Sequence, residues 1–555
     1  MNRNVESHFA LNPTNIDIRR STFDRSHSIK TSFNVGDIVP FFIDEVLPGD
    51  TFNVDTSKVV RLQTLLTPVM DNIYLDTYYF FVPNRLTWSH WKQFNGENTE
   101  SAWLPQTVYE IPQITAPASG GWSVGTIADY LGVPTGVPNI SVSALPFRAY
   151  ALVMNEWFRD ENLSDPLVVP IDDATVAGVN TGTFVTDVAK GGLPYKAAKY
   201  HDYFTSCLPA PQKGPDVLIP SATSGNYPVV TMAQAHDAGG FALSGHVTNI
   251  DRDLAVKSAD YLVAATGQQN VGVSGTAGPF DPTNLWALSS GGLGASINQL
   301  RMAFQIQKLY EKDARGGSRY IEILKSHFGV TSPDARLQRP EYLGGNRIPI
   351  NINQVVQQSA TASGATAQGT VTGMSVTTDT HSDFTKSFTE HGFVIGVMVA
   401  RYDHTYQQGL ERFWSRKDRF DYYWPVFANI GEQAVKNKEI FAQGPAKKDS
   451  AGNVIDDQVF GYQEAWADYR YKPSRVTGEM RSQYEKSLDV WHLADDYTAL
   501  PMLSDSWIRE DKSNVDRVLA VTSNVSNQLF ADIYIKNRTT RPMPMYSIPG
   551  LIDHH

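Results

Sequence analysis

Apolar and polar positions alternate with a period of two over Ile73–Val82 (IYLDTYYFFV), a run that ends at Pro83-Asn84. Successive side chains of a strand point to opposite faces, so this spacing predicts a β-strand. Phe41, Phe42, Ile43 and Val46 sit between turn signals and close at Pro48-Gly49-Asp50. Ile29 to Val82 therefore reads as a series of strands, Val59–Leu66 among them. Phe393–Ala400, Val515–Val521 and Leu529–Ile535 are further strand candidates. Helical spacing is confined to two places. Phe147, Tyr150, Ala151, Met154 and Phe158 follow Pro146 on one face, with proline near the start as helices favour. Ile297–Ala314 is the second helix, and Gly316-Gly317 ends it. Its apolar residues lie on two sides, Leu300 with Phe304 and Met302 with Ile306 and Leu309, which predicts burial against two neighbours.

Two stretches depart from this pattern. Residues 351–380 are small and polar, with Asp379 as the one charge, and read as a linker. Residues 216–295 are rich in Gly, Ser, Ala and Thr, yet hold Tyr227, Phe241, Tyr261, Phe280 and Trp286. That many rings can bury enough apolar surface to order a segment, so an ordered insertion is the better reading. Strands at both ends with long excursions between them indicate one mainly β domain with large loops.

Composition adds three points. Aromatic residues make up 11% of the 555, as β-sandwich cores and protein interfaces favour. Cys207 is the one cysteine, so packing and association must supply the strength that disulfides cannot. The polar start MNRNVESHFALNPTN and the shortness of the apolar runs predict a soluble, non-secreted protein from a reducing compartment, not in a membrane. A net charge of −11 is the wrong sign for a chain whose main task is neutralising phosphate. Any enclosed nucleic acid then calls for a separate basic partner.

Catalytic motifs are absent or accidental. No phosphate-cradling G-x-x-x-x-G-K-[ST], dinucleotide G-x-G-x-x-G or zinc-binding H-E-x-x-H occurs. Gly121-Trp122-Ser123-Val124-Gly125 matches a nucleophile elbow, but a turn, Pro117-Ala118-Ser119-Gly120, stands where the strand should be. The 13 histidines form no metal-ligand set, and no cofactor is expected.

The densest mixed cluster is Leu410–Phe427 (LERFWSRKDRFDYYWPVF). Phe413, Trp414, Tyr422, Tyr423 and Trp424 are candidates for contacts between subunits, where aromatics and arginine are the favoured anchors. Met545 and Tyr546, in a Pro-rich C-terminal arm suited to lying along a neighbour, join them. Arg412, Arg416, Lys417 and Arg419, with Arg19, Arg20 and Arg25 of the N-terminal arm, could instead contact single-stranded DNA.

Long strings then carry a resemblance. They are TPVMDNIYLDTYYFFVPNRLTW (67–88), LPFRAYALVMNEWFRDENL (145–163), HDYFTSCLPAPQKG (201–214), LRMAFQIQKLYEKDARGGSRYIEILKSHFGV (300–330), QQGLERFWSRKDRFDYYWPVFANIGEQ (407–433) and MYSIPGLIDHH (545–555). In these the chain resembles the major capsid proteins of the microviruses, small tailless single-stranded-DNA phages, and especially the gokushovirus branch. The resemblance implies a non-enzymatic subunit with a single eight-stranded antiparallel jelly-roll β-sandwich, long loop insertions and a few helices. It implies a T=1 icosahedral shell around a circular single-stranded genome, assembled in the host bacterial cytoplasm. It divides the chain into an N-terminal arm (1–30), a first part of the jelly roll (31–215), a variable insertion (216–295), a second part (296–535) and a C-terminal arm (536–555). The insertion would form a threefold protrusion that meets a host-cell receptor, with Tyr227, Phe241, Tyr261, Phe280 and Trp286 as contact candidates. Implied partners are other copies of the chain, an internal scaffolding protein, a DNA pilot protein and a small basic DNA-binding protein. A carbohydrate-binding or carbohydrate-active β-sandwich is the alternative, to be told apart by particle mass.

Overall fold

Alternation along the chain becomes two antiparallel sheets. In the computed structural model they are built from nine principal strands among the described residues: β1 (Ser21–Asp24), β2 (His27–Phe33), β3 (Val39–Val46), β4 (Thr51–Leu62), β5 (Ile73–Pro83), β6 (Glu341–Pro349), β7 (Thr377–Ser387), β8 (Gly392–Tyr402) and β9 (Leu529–Arg541). The described residues are 19–97, 107–215, 217, 226–228, 254–258, 261–264, 286–288, 297–317, 320–329, 338–359 and 366–546. The first sheet runs β1–β9–β4–β7, and β2 pairs the half of β9 that β1 leaves free. The second runs β6–β5–β8–β3. The chain is mainly β, as expected.

The two sheets share one core. Phe52, Val54, Val60, Ile533 and Ile535 of the first meet Leu75, Tyr79, Phe81, Val394 and Met398 of the second. The strand patterns report how each sheet is covered. In β9 buried and exposed residues alternate through eleven positions, because that sheet has one dry face. β8 (GFVIGVMVARY) is buried at nearly every position. Its second face carries Ile395, Val397 and Val399 into another core, against Trp122, Phe147, Tyr150 and Met154. Phe147 and Tyr150 come from helix α1 (Leu145–Val153), which has Pro146 in its first turn as the sequence predicts. Tyr150 Oη ties it to the sheet by donating to the Ile38 carbonyl at 2.6 Å.

Four expectations need correction. Val515–Val521 is no strand: Ser513–Val518 is a short helix. Val515 and Val518, three apart, both enter the main core, and the Asp516 carboxylate holds the Ser523 N–H (2.7 Å) and hydroxyl (2.6 Å) just beyond. Residues 351–380 are not a plain linker, since Ile352–Val356 and Val371–Ser375 pair antiparallel before β7 begins. The second helix, α2 (Ile297–Gly316), lacks the predicted burial on two sides: Met302, Phe304, Ile306 and Leu309 are exposed. The strand expected over Val59–Leu66 starts eight residues earlier, at Thr51, because Asn53, Asp55 and Ser57 occupy its outward positions.

The chain divides into two compact units, Gly214–Tyr310 and the remainder. Within Gly214–Tyr310, Leu254–Ser258 pairs with Tyr261–Ala264, and Asn226–Pro228 with Trp286–Leu288.

A buried polar hub fixes the long β8–β9 connection to the sandwich. His404, just past β8, places Nδ1 3.0 Å from Asp495 Oδ1 and Nε2 3.0 Å from Glu510 Oε1. Asn514 Nδ2 donates to Asp495 Oδ1 at 2.6 Å, Tyr497 Oη donates to Oδ2 at 2.8 Å, and Lys199 Nζ stands 3.7 Å from Oδ2. Burial alone would lower the His404 pKa, but the two carboxylates outweigh it and push it up to about 10. His404 is therefore a buried imidazolium that donates from both nitrogens.

Candidate assembly surface

Leu410–Phe427 is too rich in rings and charge to be core, and its local structure holds the rings outward. Three short helical turns follow one another, Arg412–Ser415, Arg419–Asp421 and Pro425–Phe427. Asp418 caps the second by accepting from the N–H groups of Phe420 (2.7 Å) and Asp421 (3.2 Å). Asp421 reciprocates with the N–H groups of Lys417 (2.7 Å) and Asp418 (3.2 Å), a closed capping box. Pro425 opens the third turn, where a missing N–H costs nothing.

Two arginines bolt this segment to the body. Arg412 donates to Gln433 Oε1 at 2.7 Å and pairs with Glu439 Oε1 at 3.2 Å. Arg416, its side chain 8% exposed, pairs with Asp468 and lies 4.3 Å over the Tyr469 ring. Burial pushes the Glu439 pKa up against the pull of Arg412 and the Tyr203 hydroxyl, which donates to it at 2.8 Å. Beneath sits a small separate core of Tyr203, Phe204, Cys207, Tyr406, Val435 and Phe460. Trp424 Nε1 donates to the Arg419 carbonyl at 2.8 Å, and Trp466 Nε1 to the Phe427 carbonyl at 3.0 Å. The rings are thus ordered before any partner arrives.

Phe413, Tyr422, Tyr423 and Trp424 are all exposed, and Trp414 is 67% exposed. Phe420, Val426 and Ile430 extend the same apolar surface and were not among the candidates. Phe413 and Trp414 also line a cleft of about 430 Å³ with Tyr469, Tyr471 and Pro473. Met545 and Tyr546 follow β9 and are exposed as well, Tyr546 at 78%.

The basic candidates divide. Arg412 and Arg416 are committed to the pairs just described. Arg25 grips Asp44 through Nη1 (2.5 Å) and Nη2 (2.7 Å). Arg19, Arg20, Lys417 and Arg419 are exposed, and Arg419 stacks over Phe420 at 4.8 Å. Of the receptor candidates, Phe241 and Phe280 lie outside the described residues. Tyr227, Tyr261 and Trp286 fall in the strands of Gly214–Tyr310, whose backbone alone is described. No group of three or more metal-ligating side chains occurs among the described residues, and none of their helices is long and apolar enough to cross a membrane.

A β-sandwich that displays ordered rings at its surface, Phe413 39% and Trp414 67% exposed among the described residues, is a structural subunit, built to bind protein. The comparisons agree. Residues 13–551 match the model of the phage capsid protein (F protein) family. The capsid protein VP1 of Spiroplasma virus 4 is 43% identical, covering 96% of each chain. Those of Chlamydia phage 1 and Bdellovibrio phage phiMH2K are each 42% identical, covering 99% of this chain and 98% of theirs. The chain belongs to the phage capsid F-protein family, and its place is the virion shell.

Proposed function

We propose that sixty copies of this chain close into a T=1 icosahedral shell around a circular single-stranded DNA genome. The observation that carries this reading is the pre-ordered ring surface of residues 412–427. Anchors already fixed in place lose little entropy on binding, which favours association. Closed cubic symmetry uses each such surface in heterologous contacts around the axes. Two sheets of order β1/β2–β9–β4–β7 and β6–β5–β8–β3, with most successive strands changing sheet, support a single eight-position jelly roll.

The partners are those the family resemblance implies, and charge and exposure support where they would act. A net −11 leaves most genome phosphates to a small basic DNA-binding protein. Lys417, Arg419, Arg19 and Arg20, which are exposed, are the cations this reading assigns to added DNA contacts. An internal scaffolding protein covers the exposed apolar face of α2 and the aromatic surface before closure, and a DNA pilot protein completes the particle. Electron microscopy of the purified chain, co-expressed with its scaffolding partner, tests the assembly. Uniform particles of about 3.7 MDa are expected for sixty subunits of 61.5 kDa. A monodisperse monomer in the presence of scaffold would sink the proposal.

Residues 216–295 form the threefold protrusion and the host-receptor contact in this reading. Replacing them with a short linker should leave the sandwich folded and the shell closed, while removing the surface knobs and adsorption to host cells. Adsorption at the wild-type level by knobless particles would refute the receptor role.

A further inference from the structure

The core of the sandwich contains a buried lysine and an asparagine that the assembly reading above does not use. Lys58 in β4 is 1% exposed, and its amine lies among three groups. Nζ is 2.5 Å from Asn346 Oδ1, 3.2 Å from Asp379 Oδ2 and 3.2 Å from Thr77 Oγ1. The Asn346 carboxamide is held from both ends: its Nδ2 donates to Asp379 Oδ2 at 2.8 Å, and its Oδ1 accepts from Thr77 Oγ1 at 2.9 Å. We propose that Lys58 and Asn346 condense into an intramolecular isopeptide bond, with Asp379 as proton carrier, stapling one sheet of the sandwich to the other.

Register places these four residues together. Lys58 and Asp379 are direct cross-strand partners in the first sheet, and Thr77 and Asn346 are direct partners in the second. The two pairs therefore face each other across the core. Gly345 lets β6 come this close, since a Cβ there would fall 2.0 Å from the Thr77 carbonyl oxygen.

The distances suit acyl transfer. An amine 2.5 Å from an amide oxygen is separated from the carbonyl carbon by no more than about 3.7 Å, near the reach of an attack conformer. An amide is a poor electrophile in water. Here the Thr77 hydroxyl aims at the oxygen where negative charge develops, and burial of Lys58 keeps competing water away.

The chemistry balances without an added reagent. The Asp379 carboxylate takes one proton from the Lys58 ammonium, and the neutral amine attacks Asn346 Cγ. The tetrahedral oxyanion at Oδ1 is held by Thr77. Collapse breaks the Cγ–Nδ2 bond, and Nδ2 leaves as ammonia. It carries away the proton returned through Asp379 and the one released by the new amide nitrogen, departing as ammonium. One ammonium and one primary amide become one secondary amide and one ammonium ion. The event happens once per chain, so it is a self-modification and not a turnover activity. The staple would join positions 288 residues apart, and a cross-link over so long a loop removes much of the unfolded chain's freedom.

Mass spectrometry of the purified, folded full-length chain tests this. The expected result is an intact mass short by one ammonia and, after proteolysis, a branched peptide joining the Lys58 and Asn346 segments. Denaturing electrophoresis should show a faster band that Lys58→Arg, which keeps the charge, converts to a slower one of full mass. Asp379→Ala should likewise yield unlinked peptides, and a bond formed undiminished in that variant would overturn the part given to Asp379. An unmodified wild-type mass overturns the proposal outright. So does a lost ammonia with only linear peptides, which would mean a cyclic imide at Asn346. The wild-type measurement decides without any variant, so a substitution that failed to fold would not obscure the answer.

Discussion

Replacing His404 with leucine should destabilise the unassembled subunit by about 3–5 kcal/mol, the usual loss when one member of a buried ionic cluster is removed. The imidazolium side chain is 1% exposed and stands between Asp495 and Glu510, themselves 4% and 0% exposed. Leucine would leave both carboxylates buried without their shared cation, with Lys199, 3.7 Å from Asp495 Oδ2, compensating only Asp495. Denaturant unfolding of wild type and variant measures the difference, and a loss under about 1 kcal/mol would refute the role given to the hub. The same groups set a pH dependence. Folding raises the His404 pKa from 6.5 to about 10, so its contribution is full below pH 6.5 and is lost as pH rises through about 10. Asp495 is shifted the other way: burial opposes its ionisation, but His404 and Lys199 outweigh that and hold it well below 3.8. Its contribution is full above pH 3.8 and is lost as pH falls through its depressed value. Stability from the hub should thus be greatest between about pH 3.8 and 6.5, and the His404→Leu difference should shrink on the alkaline side.

Trp414→Ala should block shell closure while leaving the subunit folded. Trp414 is mostly exposed, so truncation removes little from the subunit's own core. A central aromatic anchor at an interface is worth about 2 kcal/mol or more. Every copy in a closed shell would lose it, so modest individual weakening becomes collective failure. Sedimentation of the variant with scaffold present should show free subunits and small oligomers, with wild-type circular dichroism. Intact shells with reduced DNA content would instead assign Trp414 to the genome, as a stacking platform for bases.

Much of the β framework was legible, β9 through the period two that survives where one face is wet and β8 as an apolar run buried on both faces. β5, β8 and β9 fall where Ile73–Val82, Phe393–Ala400 and Leu529–Ile535 predict them. Legibility failed where short-range spacing competes with tertiary burial. Val515–Val521 is β-branched enough to suggest a strand, yet the core accepts Val515 and Val518 from one side of a helical turn. The front half of β4 hid behind polar outward residues. For the assembly surface, residue types pointed to Phe413, Trp414 and Trp424, but not to which arginines were free. Arg412 and Arg416 lost that freedom to Glu439 and Asp468, partners 27 and 52 residues away.

By itself the sequence determined the class of molecule: mainly β, without a catalytic motif, acidic and dense in rings along 410–427. Those properties are local or additive, so they need no fold to be read. Only the tertiary structure decided which polar residues meet. His404 is 91 residues from Asp495 and 106 from Glu510, and Lys58 is 288 from Asn346. Sheet order and register set the second pair and the packing of the β8–β9 connection sets the first, each bringing distant chain positions within a hydrogen bond's length and excluding water around them. Their chemistry, an imidazolium held charged up to about pH 10 in one place and an amine against an amide in another, exists only once that burial is in place.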